Sequence, residues 1–152
     1  MGQPPKTFYF SLKNDIAELQ TLGRQIESVG RALNLSKRCL FEINLALDEL
    51  FTNILSYGFT DGDAHRIEVS LSAEDEVLTV IITDDGVAFN PTERQAPALP
   101  DTVDDCRVGG LGIYLIKNLM DEICYRREGE RNILTLKKKL ETIRPPCGGG
   151  PS

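Results

Sequence analysis

Clusters of basic residues, long apolar runs and paired cysteines are what this 152-residue sequence lacks. Its 17 Lys and Arg stand against 23 Asp and Glu, a net charge of −6. The one basic run, at 137–139, is too short to neutralise a phosphate backbone, which argues against a nucleic-acid partner. That run reads instead as the solvated end of a strand. No stretch approaches the roughly 18 apolar residues of a membrane span. The first residues also lack the basic region and apolar run of a signal peptide, so no membrane and a cytoplasmic location are expected. Cys39, Cys106, Cys124 and Cys147 show no C-x-x-C spacing and are expected to be free thiols. Tryptophan is absent too, yet 41% hydrophobic residues in a chain of this length suffice for one domain with a single core.

What is present is an ordered succession of elements. "TFYFSLKN" has strand composition, and "NDIAELQTLGRQIESVGRAL" then carries Ile16, Leu19, Leu22, Ile26, Val29 and Leu33 at helical spacing. Ser36 is placed to cap a second helix, the one containing "LALDELFTNILSYGF". "RIEVSLS" and "EVLTVIITDDG" alternate with period two, as half-buried strands joined by a turn. Residues 87–108, rich in Pro, Asp, Thr and Ala, predict a long loop. "GGLGIYLIKNLMDEI" restarts as a helix, and "ICYRRE" with "NILTLKKKL" predicts a hairpin around "GER". The Pro- and Gly-rich end predicts a disordered tail at 143–152 behind one domain over 1–142. The order β-α-α-β-β-loop-α-β-β predicts an α+β fold, a two-layer sandwich with three helices on one face of a mostly antiparallel sheet.

Three short stretches stand out from this frame. On the second helix, at about 100° per residue, Ile43, Leu47, Leu50 and Ile54 form one apolar line. Glu49 and Asn53 sit together about 110° from it, flanking the core stripe at the edge of a crevice. In "VLTVIITDDG", Asp84 continues the register of Leu78, Val80 and Ile82, so a carboxylate points to the buried side of its strand. A buried charge there demands a partner. A strand-ending turn is one reading of "DDG"; the exocyclic amino group of an adenine, with Gly86 leaving room for the base, is the other. In "VGGLGIYLIKNLM", glycines at 109, 110 and 112 let unpaired backbone N–H groups at a helix start approach an anion. A simple hinge is the alternative there. The stretch lacks the Lys-Ser/Thr of a P-loop and the preceding strand of a dinucleotide fingerprint.

Taken together, Glu-x-x-x-Asn on a helix, Asp-x-Gly ending a strand, and Gly-Gly-Leu-Gly opening a later helix resemble the three nucleotide-binding boxes of the GHKL ATPase superfamily, over roughly residues 7–140. Within it, "ALDELFTNILSYGF", "ITDDGVAFNP" and "GGLGIYLIKNLMDEI" look most like the small bacterial anti-sigma factors that are serine/threonine protein kinases. The resemblance implies a Bergerat-type ATP-binding fold using ATP and Mg²⁺. It gives Asn53 the metal, Glu49 the proton of an attacking Ser or Thr hydroxyl, Asp84 and Gly86 the adenine, and Gly110, Leu111 and Gly112 the phosphates. It makes residues 87–108 an ATP lid, with Arg94 and Arg107 as candidate phosphate contacts. Ala88 departs from relatives that carry a second Gly after Asp-x-Gly. The implied partners are a small anti-sigma factor antagonist protein, the substrate, and a sigma factor, and the N-terminal strand and helix are compatible with a homodimer. His65 falls in a loop and no phosphoacceptor helix precedes the domain, which disfavours a histidine kinase. A nucleotide-gated binding module without significant kinase activity is the alternative.

Overall fold

The computed structural model describes residues 5–91 and 116–141. They form β1 (Lys6–Lys13), α1 (Glu18–Leu33), α2 (Lys37–Tyr57), β2 (Arg66–Glu74), β3 (Val77–Asp84), β4 (Glu122–Glu128) and β5 (Arg131–Lys139), with a helical turn at 116–119 before β4. The sheet order is β1-β2-β3-β5-β4, every neighbouring pair antiparallel. The α+β sandwich expected from the element order is therefore the observed architecture. The tail at 143–152 lies outside the described residues.

Local chemistry sets the element ends. Asp15 accepts a hydrogen bond from the Ala17 N–H at 2.9 Å, closing a turn that delays α1 until Glu18. Ile16 is thereby taken off the apolar stripe to which its spacing assigned it and stands 57% exposed. α1 ends on Asn34 in the left-handed conformation, with the Leu35 N–H bonded to Gly30 O at 3.0 Å. Ser36 caps α2 as expected, its Oγ accepting from the Cys39 N–H at 3.1 Å. Asp75 and Glu76, both at positive φ, make the two-residue β2–β3 turn, whose twist matches that of the strands.

Period-two alternation places Ile67, Val69 and Leu71 of β2, Leu78, Val80 and Ile82 of β3, and Leu134 and Leu136 of β5 in one core with Leu22, Ile26 and Val29 of α1 and Ile43, Leu47, Leu50 and Ile54 of α2. Ile116 and Met120 join the same core, so the third helical segment packs on the same layer. Each such side chain contributes about 1.5–3 kcal/mol on burial. The helices approach closely where α1 carries Gly30, since a Cβ there would sit 2.7 Å from Leu40 Cδ1.

The strand register also carries polar residues inward at both ends of the sheet. At one end Asp84 of β3 lies opposite Asn132 of β5, and at the other Leu78 lies opposite Lys138. Lys138 corrects the reading of 137–139 as solvated. It shares the face of Leu134 and Leu136, is 8% exposed, and its Nζ donates to Glu42 Oε1 at 2.8 Å and Leu119 O at 2.7 Å. Lys137 and Lys139 point the other way and are exposed.

Candidate functional site

α2 presents an amide to the interior. Asn53 is fully buried, and neither its Oδ1 nor its Nδ2 has a hydrogen-bond partner among the described residues. Leaving such a group unpaired costs about 1–3 kcal/mol, so a pair of orphaned atoms on a well-formed helix asks for a ligand. Its neutral Oδ1 is a suitable hard donor for a divalent cation shared with phosphate oxygens. Glu49, one turn earlier, is half-buried on the same side. The adjacent carboxylate, Asp48, is pushed up by burial, but lies roughly 140° around the helix from Asn53 and does not share its line. Asn53 therefore sits deeper than the flanking position its angle suggested, with Glu49 at the margin.

The end of β3 supplies the second group. Asp84 is 5% exposed on the core side of the sheet, as its register predicts. Its Oδ1 accepts from the Gly86 N–H at 2.8 Å and from Asn132 Nδ2 at 2.9 Å. Burial raises its carboxyl above the ordinary value, and those two hydrogen bonds work against the rise. Asn132 is a hub. Its Nδ2 also donates to Val87 O at 2.8 Å, while its Oδ1 accepts from Tyr125 Oη at 2.5 Å, Arg127 Nη1 at 3.1 Å and the Phe89 N–H at 3.3 Å. Arg127 Nη1 donates to Gly86 O as well, at 2.8 Å.

α2 and this turn meet at two glycines. A Cβ on Gly86 would lie 2.2 Å from Gly58 O, and the Val87 N–H donates to that same carbonyl at 2.7 Å. Tyr57 and Phe89 stack beside the contact with centroids 5.3 Å apart. A side chain at 86 would thus push the end of α2 off the turn. The contact holds the helix of Glu49 and Asn53 against the strand end of Asp84.

Outside the turn, His65 stacks on Phe59 and lies between two carboxylates, Nδ1 2.9 Å from Asp85 Oδ1 and Nε2 2.8 Å from Asp61 Oδ2. The hydrogen bond to Asp61, reinforced by Asp85, raises its pKa above the ordinary value. Doubly donating imidazolium is the form that satisfies both partners. His65 therefore has a local tether to hold, linking the loop after α2 to Asp85.

The Gly58–Gly86 contact joins the helix that carries Glu49 and Asn53 to the strand end that carries Asp84 and Gly86. Gly110, Leu111, Gly112, Arg94 and Arg107 lie outside the described residues, as do Cys106 and Cys147; Cys39 and Cys124 are free thiols. Sequence reasoning missed Asn132, Tyr125 and Arg127. The available signal was the period-two register of "NILTLKKKL", which puts Asn132 on the face of Leu134 and Leu136. Among the described residues no helix is long and apolar enough to cross a membrane.

This arrangement has counterparts. Serine/threonine-protein kinase BtrW of Bordetella bronchiseptica is 35% identical over 101 residues, 66% of this chain and 71% of that protein. Serine-protein kinase RsbW of Listeria monocytogenes is 28% identical over 124 residues, 78% of this chain and 79% of that protein. Among solved structures, that of the RsbU and RsbW domains of a Mycobacterium tuberculosis protein covers 93% of this chain and 35% of its own, with a TM-score of 0.64 and 15% identity, and shares the fold. The profile of the histidine kinase-like ATPase domain matches residues 12–138, and the chain belongs to that family.

Proposed function

We propose that this chain is an ATP-dependent serine/threonine protein kinase and an anti-sigma regulatory factor, which phosphorylates a small anti-sigma antagonist protein in the cytoplasm. The observation that carries the proposal is the fully buried amide of Asn53, without a hydrogen-bond partner among the described residues, one turn from the half-buried carboxylate of Glu49. The kinase names of BtrW and RsbW support the same reading.

In this reading Asp84 accepts from the adenine amino group, Gly86 keeps the turn close to α2, and Asn53 Oδ1 is a ligand to Mg²⁺. Bound Mg²⁺ supplies charge neutralisation to the phosphates. Gly110, Leu111 and Gly112 offer backbone amides to those phosphates. Glu49 takes the proton from the substrate hydroxyl as its oxygen bonds to the γ-phosphorus and the bond to the β–γ bridging oxygen breaks, releasing ADP. The catalytic domain is taken as residues 1–142. The antagonist is the phosphoacceptor and a sigma factor the competing partner, with a homodimer as the assembly.

A nucleotide-gated module without significant kinase activity is the second reading, and Glu49 weighs against it. A sensor needs contacts to adenine and phosphate but no base. Incubation with γ-labelled ATP and candidate antagonist proteins separates the two. Label should appear on a Ser or Thr of one antagonist, and Asn53→Ala should lower both Mg²⁺-dependent ATP affinity and labelling. If nucleotide controls partner binding but no antagonist is labelled, the sensor reading replaces the kinase.

A further inference from the structure

An adenine-reading carboxylate is useful only if it is aimed. The terminal torsion of an Asp side chain is broad and roughly twofold, so Asp84 needs an external constraint to present one particular oxygen. The constraint is visible in the turn. Both donors to Asp84, the Gly86 N–H and Asn132 Nδ2, converge on Oδ1, and Oδ2 has no donor among the described residues. The arrangement depends in turn on which way the Asn132 amide faces. Three donors, from Phe89, Tyr125 and Arg127, point at one atom of that amide, and two acceptors, Asp84 Oδ1 and Val87 O, face the other. Only oxygen toward the donors and nitrogen toward the acceptors satisfies all five.

We propose that Arg127 is a positioning residue for adenine recognition, acting through Asn132 and Gly86 on Asp84. Its Nη1 joins the Asn132 carbonyl oxygen to the Gly86 carbonyl. One cation thus fixes the amide that holds Asp84 Oδ1 and the backbone that donates to the same oxygen. Arg127 reaches the turn from an exposed position on the edge strand β4, outside the core cluster, so its removal leaves the core intact. The proposal rests on the reading that Asp84 accepts from the adenine amino group.

The test measures, by calorimetry on the whole chain, binding of ADP and of the diphosphate of purine riboside, which lacks the exocyclic amino group. The wild type should prefer ADP by ~10-fold or more, and Asp84→Ala should abolish the preference. Arg127→Met keeps the aliphatic stem and removes the donors. It should cut the preference by ~3–10-fold while leaving affinity for the purine riboside diphosphate unchanged, with Arg127→Lys intermediate because an ammonium cannot reproduce the planar fork. If Asp84→Ala keeps the wild-type preference, the adenine reading of Asp84 is wrong and the proposal goes with it. If Asp84→Ala loses the preference but Arg127→Met keeps it, or loses affinity equally for both ligands, the adenine reading stands and the positioning role is overturned.

Discussion

The two ends of the sheet solve the same problem differently. At each, strand register turns a polar side chain into the layer beneath the helices. At the Lys138 end the charge is fully answered, by Glu42 and the Leu119 carbonyl. The other end spends five hydrogen bonds on Asn132 and still leaves both amide atoms of Asn53 without partners among the described residues. A satisfied buried polar group locks a fold, whereas an unsatisfied one held by a well-formed scaffold is a place for a ligand. The glycine contact between residues 58 and 86 shows that the open end is no less tightly built.

The sharpest test of this contrast uses two glutamates seven residues apart on α2. Glu49→Gln retains size and helix propensity but removes the proton acceptor, so phosphoryl transfer to a Ser or Thr should fall by ~10²–10⁴-fold while ADP still binds. Glu42→Gln, at the satisfied end, should leave turnover within a few-fold of wild type. Steady-state labelling rates check both. Equal rate losses in the two variants would dissolve the distinction between the ends.

A smaller effect, of opposite sign at the two ends, is expected in stability. Lys138→Met keeps the stem but strands the Leu119 carbonyl and a carboxylate that Lys138 holds below its ordinary pKa, and should cost roughly 1–2 kcal/mol, limited because Glu42 reaches solvent. Asn53→Leu replaces orphaned polar atoms by apolar ones of similar size and should be neutral or stabilising by up to about 1 kcal/mol, although Mg²⁺-dependent nucleotide affinity is lost. Denaturant midpoints at unchanged slope give both numbers. A destabilised Asn53→Leu would mean that the amide is structural.

How much of this was legible in advance follows from the range of the interactions. Strands of period two, the Ser36 cap and the inward Asp84 are local patterns and read directly. So does the pairing of Glu49 with Asn53, one helical turn apart. Lys138 misled because three lysines in a row look solvated, and strand alternation sends the middle one inward where Glu42, 96 residues away in sequence, receives it. Ile16 misled because the turn at Asp15 competes with the helix for its backbone. Asn132 and Arg127 escaped notice because their meaning arises only when β5 pairs with β3, and no spacing along the chain encodes that a distant arginine holds the Gly86 carbonyl.

The smallest expected effect lies on the outer side of the same turn and separates its tether from its site. His65 has a folded-state pKa above 6.5, raised first by its hydrogen bond to Asp61 and then by Asp85. Its contribution is thus fully present below the ordinary value and is lost as pH rises through the raised one. Glu42 behaves inversely, with a pKa depressed below 4.5, first by Lys138, and a contribution that is present above that value and fades as pH falls through the depressed one. Thermal midpoints of wild type and His65→Asn should therefore differ most near pH 6 and converge by about pH 9, the difference staying small because both carboxylates are well solvated. Glu42→Gln should run the other way, converging on wild type only in acid. A gap between wild type and His65→Asn that is constant from pH 6 to pH 9 would assign His65 to its stacking on Phe59 alone, leaving the loop after α2 joined to the Asp84 turn by the Gly58 carbonyl and not by charge.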